Sequence, residues 1–118
     1  MQVKLVADDD ALLRCKTEGD IVQTAFDPNQ EPIAEMFGED VYKRNFLLDL
    51  EDSPYMDSSG VSWVLKCHKH FRDSGGKLVV HSITPMVKQL FSVLRMDKVL
   101  NLAETLGDAR RMVAEDAA

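Results

Sequence analysis

Apolar residues along this chain recur with two different periods, and the switch between them divides it into strands and helices. "QVKLV" (2–6) alternates as a short strand, and Ala11–Lys16 returns as a second strand of a hairpin across an acidic turn at Ala7–Asp10. "NFLLDL" and "KLVVHS" are compact apolar runs of the kind buried on both faces of a parallel sheet, and "KVLNL" predicts a last short strand. Helical spacing takes over in Ser59–Asp73, where Val61, Val64, Leu65, His68 and Phe71 share one side while Trp63, Lys66 and His70 share the other. Gly75 and Gly76 stand where a left-handed turn would end that helix.

Thr84 and Pro85 have the residue types of an N-cap and first helical position. Met86, Val87, Leu90, Phe91 and Leu94 behind them predict a helix with that face on a sheet. A last helix starts where Thr105 and Asp108 resemble a capping box, with Ala109, Met112 and Val113 on its apolar side. Phe26–Asn45 is broken by Pro28 and Pro32 and holds at most a short helix, Ile33–Phe37, stopped at Gly38. The order is strand, strand, weak helix, then strand–helix three times. That order predicts one α/β domain over residues 1–118: a mixed, mainly parallel sheet of about five strands covered by about four helices. Ligands and partners of such sheets meet the carboxyl ends of the strands, where "EDSPYMDSSG" lies.

Composition narrows the functional classes. A chain of 118 residues with formal net charge −6 and no large basic patch is a poor nucleic-acid binder, and an anionic membrane surface is disfavoured for the same reason. No apolar run is long enough to span a bilayer or serve as a signal peptide, so a cytoplasmic domain without membrane insertion is expected. Two cysteines, Cys15 and Cys67, read as reduced packed thiols. In "CHKH", Cys67 and His70 could reach one ion, but two ligands do not make a metal site. His68 reads as a packed histidine bonded to backbone or water.

The paired serines of "DSSGV" admit three readings. Either could cap the helix, contributing about 1 kcal/mol. Either could be a nucleophile, but the glycine on one side only is not a G-x-S-x-G elbow, and His70 is more than two turns away. Either could accept a phosphate, which a helix N-terminus tolerates. The added charge of about −1.5 to −2 would stand beside Asp57, Glu51 and Asp52 and repel a partner fitted to a neutral hydroxyl. Gly60 lets another group approach the serines closely, either a partner or a packing neighbour within the domain. Trp63, on the side away from the core, is either covered by a loop of the same domain or docks a partner protein.

"FLLDLEDSPYMDSSGVSWVLKCHKHFRDSGGKLVVHSITPMVKQLF" resembles the core of the STAS domain (sulphate transporter and anti-sigma antagonist), in particular the free-standing bacterial anti-sigma factor antagonists. The resemblance runs from Phe46 to about Leu106. Its most specific element is Asp57-Ser58-Ser59-Gly60 after D-L-x-x-x-x-x-M, joined by Gly75-Gly76-Lys77 and Pro85. It implies a non-enzymatic, cofactor-free switch in which Ser58 is phosphorylated by a serine/threonine kinase that is itself the anti-sigma factor. The unphosphorylated form binds that kinase and releases the sigma factor, and a serine phosphatase resets it. Asp57, Ser59, Gly60 and Trp63 would then shape the partner surface. The N-terminal half departs from the family. "GDIVQTAF" keeps Gly19, Thr24 and Ala25, but Asp20-Ile21-Val22 stands where antagonists carry Glu-Leu-Asp, in a loop that helps bind the kinase. Asp20 and Thr24 are the candidate contacts there. The alternative within the fold is an accessory subunit of a transporter or stress-signalling complex without a phospho-switch.

Overall fold

A computed structural model of the chain describes residues 1–117 apart from Asp10, Phe26 and Pro28. The end of the expected acidic turn at Asp10, and the start of the broken segment at Phe26 and Pro28, lie outside the described residues. Five strands form one sheet in sequence order: β1 (Gln2–Asp9), β2 (Leu12–Glu18), β3 (Asn45–Asp52), β4 (Lys77–His81) and β5 (Leu102–Ala103). β1 and β2 are antiparallel, and the remaining pairs are parallel. β1 runs three residues longer than alternation predicts, taking in Ala7–Asp9 of the expected turn, and β2 starts one residue later and ends two later, because β1 pairs with β2 along its whole length across a register shift between Leu5 and Ala7. Four α-helices join them: α1 (Pro32–Phe37), α2 (Ser58–Ser74), α3 (Pro85–Val93) and α4 (Leu106–Ala117).

Strand periodicity divides the core in two. Phe46, Leu48 and Leu50 of β3 point to the face where Val64 and Phe71 of α2 and Phe91 of α3 pack. Leu47 and Val79 point to the other face, against Ala109 and Val113 of α4. β3 and β4 are therefore apolar on both sides, as parallel strands between helices must be. Cys15 and Cys67 are buried free thiols, and burial pushes both up to about 12.

Three expectations change. The last strand is Leu102–Ala103 rather than 98–102: Arg95 adopts a left-handed conformation, and Met96–Lys98 winds into a 3₁₀ turn that removes Lys98 from the strand. Asn101 then fixes the strand start, donating from Nδ2 to the Leu78 carbonyl at 3.0 Å and accepting from the Val80 amide at 2.9 Å. On α3 only Val87 and Phe91 are fully buried; Met86 is 53% and Leu94 41% exposed, so the helix covers the sheet with half of the predicted face. Trp63, placed by the helical wheel on the outer side of α2, is 5% exposed and part of the core. The broken segment is what covers it. α1 and the 3₁₀ turn Glu39–Lys43 close over that side, so Pro32, Ile33 and Tyr42 share a small cavity with Trp63. Glu31 reaches His70 Nε2 at 3.3 Å and Lys66 Nζ at 3.8 Å. The docking reading of Trp63 gives way to local cover.

Candidate functional site

The loop after β3 meets three neighbours at the carboxyl end of the sheet. Its backbone is tied to the segment after β2 by Gly19 N to Asp52 O and Ile21 N to Tyr55 O, both 3.0 Å, and by Asp57 N to Ile21 O at 3.3 Å. Ile21 and Met56 thereby form an isolated parallel bridge, a short continuation of the β2–β3 pairing. Thr84, the N-cap of α3, donates to the Pro54 carbonyl at 3.2 Å and accepts from the Val87 amide. Below the loop, the buried hydroxyls of Thr17 and Ser53 bond each other at 2.5 Å.

Neither serine caps α2. Asp57 does, accepting from the Gly60 amide through Oδ1 at 3.0 Å, while its Oδ2 accepts from the Gln23 amide at the same distance. The amides of Gln23 and Gly60 hold its carboxyl below the usual carboxylate range. One carboxylate thus starts the helix and pins the 3₁₀ turn Gln23–Ala25 beside it. With the cap supplied by Asp57, Ser58 is left as the first residue of α2, exposed, its hydroxyl unused by the helix. Ser59 is half-buried.

Gly60 is a packing glycine. A Cβ there would lie 2.1 Å from the Ile21 carbonyl oxygen and 2.4 Å from Met56 Cγ, so the close approach is made by the chain's own β2 loop. Gly60 is buried and offers no surface to a partner; what it provides is the tight fit of that loop against α2. Asp20 and Thr24 are both exposed on the same segment, on either side of the buried Ile21. Of the predicted partner residues, then, Asp57, Ser58, Ser59, Asp20 and Thr24 are brought together at one end of the molecule. Gly60 and Trp63 serve packing.

Sequence reasoning missed the apolar half of this surface. Tyr55, Met86, Leu90 and Val93 line a groove of about 470 Å³ that runs from Ser58 along α3. Tyr55, Met86 and Val93 are 41, 53 and 70% exposed. The signal was present in the excess of apolar residues on α3 over what one buried stripe needs. A nucleophilic site finds no support in this arrangement. His70, the histidine weighed as a base, lies about 18 Å along the helix axis from Ser58, with its ring 4.8 Å from Tyr42 and its Nε2 on Glu31. Among the described residues no group of three or more His, Cys, Asp or Glu side chains could hold a metal ion, and no helix is long and apolar enough to cross a membrane.

Comparison with known proteins identifies the architecture. The STAS domain family model matches residues 11–109. An anti-sigma-factor antagonist (STAS) domain protein from Planctomyces limnophilus superposes with a TM-score of 0.71 at 15% identity, covering 97% of this chain and 99% of that one. The anti-sigma factor antagonist SpoIIAA in its unphosphorylated form gives 0.62 at 13%, covering 96% and 97%. An anti-sigma factor antagonist from Mycobacterium paratuberculosis gives 0.63 at 16%, covering 96% and 95%.

Proposed function

We propose that this chain, which belongs to the STAS domain family, is an anti-sigma factor antagonist whose partner binding is switched by phosphorylation of Ser58. The observation that carries this reading is the division of labour at the start of α2. Asp57 makes the cap, so the Ser58 hydroxyl is exposed at a helix N-terminus with no structural duty. A phosphate can be added there without undoing a bond of the fold, and the helix dipole favours the anion.

The surroundings supply the other half of a switch. The groove beside Ser58 is apolar, so a partner fitted to it buries Tyr55, Met86 and Val93 next to a neutral hydroxyl. A dianion at Ser58 would have to be desolvated in that contact, with Asp57 adjacent. The partner is an anti-sigma factor that acts as a serine/threonine kinase. The unphosphorylated form binds it, a serine phosphatase restores binding, and the chain itself catalyses nothing.

The test is incubation of the purified chain with ATP and each anti-sigma kinase encoded in the same genome, followed by peptide mass spectrometry and binding measurements. One phosphate on Ser58 is expected. Ser58→Ala should retain kinase binding, and Ser58→Asp should weaken it at least tenfold. Modification elsewhere with Ser58 untouched would refute the switch. Equal binding by Ser58→Ala and Ser58→Asp would favour constitutive docking in a transporter or stress complex.

A further inference from the structure

We infer that Glu31–Phe37 is a strap that swings off α2 while the rest of the domain stays folded, baring Trp63 and Cys67. The strap is the six-residue helix α1 with Glu31 before it. It lies over the side of α2 that carries Trp63, Lys66, Cys67 and His70.

The two ends of this stretch are fixed more firmly than its middle. On the amino-terminal side, the Asp57 carboxylate holds the Gln23 amide at 3.0 Å. On the carboxyl-terminal side, Val41 and Tyr42 are buried, and the Tyr42 ring meets Phe71 edge-on at 5.0 Å. The Arg44 carbonyl beyond them accepts from the Lys77 amide at 3.1 Å. Between these anchors, Ile33 is the one fully buried residue of α1, with Ala34 and Phe37 partly covered. No side chain caps the helix. Its bonds Glu35 N to Glu31 O and Gly38 N to Ala34 O close on the strap itself, and among the described residues no backbone group of the strap bonds another element. Its side-chain ties run from the Glu31 carboxylate to His70 Nε2 at 3.3 Å and Lys66 Nζ at 3.8 Å, at the surface, where ion pairs contribute little.

Two features let the strap leave as a unit. A helix of six residues has no stability of its own and survives by packing, so losing the Ile33 contact melts it. Gly38, at φ 81°, turns the chain in open space, with no atom within 4 Å of where a Cβ would stand, so backbone rotation there meets no obstacle. Opening exposes Ile33 and one side of Trp63, and the conformational entropy regained by the released residues offsets much of that cost. Such a segment opens at a lower free energy than the sheet does. The open state extends the accessible side of α2 from half-buried Ser59 to Trp63, one turn on, so the strap masks an aromatic beside the switch end.

The two cysteines report the opening. Cys67 lies under the strap and Cys15 within β2, and both thiols are buried and raised to about 12, so each reacts when its cover lifts. The experiment is labelling of the native full chain with N-ethylmaleimide at pH 7.5, each thiol being followed by peptide mass spectrometry. Cys67 should react at least about a hundredfold faster than Cys15, whose rate should match global unfolding measured in urea. The Glu35 and Gly38 amides should exchange hydrogen with the opening constant that Cys67 reports. Ile33→Ala should speed Cys67 at least tenfold. Val79→Ala, in the other half of the core, should speed Cys15 at least tenfold and leave Cys67 unchanged, because the contacts it weakens persist in the open state. Equal rates for the two thiols, a Val79→Ala variant that speeds both alike, or a Cys67 rate indifferent to Ile33→Ala would overturn the strap. None of these readouts depends on whether Ser58 accepts a phosphate.

Discussion

The two ends of α2 are built alike and equipped differently. At each end a glycine without room for a side chain seats a neighbouring carbonyl: Gly60 against Ile21 O, and Gly76 against Tyr42 O and Arg44 O, where a Cβ would fall 2.1, 2.3 and 2.4 Å away. At the start, the polar group is fully used, since the Asp57 carboxylate takes two backbone amides. The group left over is a neutral hydroxyl on the surface. At the finish, the left-handed Gly75 closes the helix through Gly76 N to Phe71 O at 2.9 Å. The group left over is a buried imidazole among cations. The same helix therefore presents an exposed hydroxyl at one end and a largely buried imidazole at the other. The satisfied cap is what frees Ser58.

The largest expected effect bears on both ends together. Trp63 sits between them and holds the α1 cover against α2, so Trp63→Ala should cost about 3–5 kcal/mol in urea unfolding. A loss below about 1 kcal/mol would mean that α1 can collapse into the space and that the ends are not mechanically joined. Next come the glycines, which should separate the ends. Gly60→Ala and Gly76→Ala should each cost about 1–3 kcal/mol, because the Ile21 carbonyl at the first and the Tyr42 and Arg44 carbonyls at the second are backbone and cannot swing aside. Gly60→Ala should disturb amide shifts of 19–24 and spare Asn45 and Lys77; Gly76→Ala should do the reverse. Smaller is the hydroxyl pair under the loop. Ser53→Ala alone should cost about 1 kcal/mol by stranding buried Thr17, whereas adding Thr17→Val should recover most of it.

How much of this was legible beforehand follows from which interactions are local. The buried strands and α2 to α4 were readable because hydrophobic period, caps and stop glycines act within a few residues, as Thr84–Pro85 and Gly75 illustrate. Ser58, Asp57 and the β2 loop were singled out from the stretch itself and from the family resemblance. Which of them packs and which faces solvent was not readable. Gly60 and Trp63 are assigned by what lies across from them, Ile21 and α1, at separations of dozens of residues. The role of the cap shows the same limit. Asp57, Ser58 and Ser59 all have N-cap chemistry, and only the amide of Gln23, arriving from another loop, selects the aspartate.

Acid should take the two ends apart in different pH windows, with the smallest effect of the set. Burial, then Arg72 and Lys69, lower the His68 pKa; burial and Arg14 lower that of His81 against the pull of Asp49. Both rings thus bind a proton more readily in the unfolded chain, whose histidines titrate near ~6.5. Their contribution is complete above that value and declines as pH falls through the folded values, because the unfolded state then holds more protons. Asp57 is also lowered, from an ordinary 3.8, so its contribution is present above that range and declines as pH falls below it. Thermal midpoints measured from pH 7.5 to 3 should show a shallow fall beginning near pH 6 and a separate one below about pH 4. His68→Gln should flatten only the first. A first fall that is unchanged in His68→Gln would locate the neutral-range proton uptake at His81, inside the sheet.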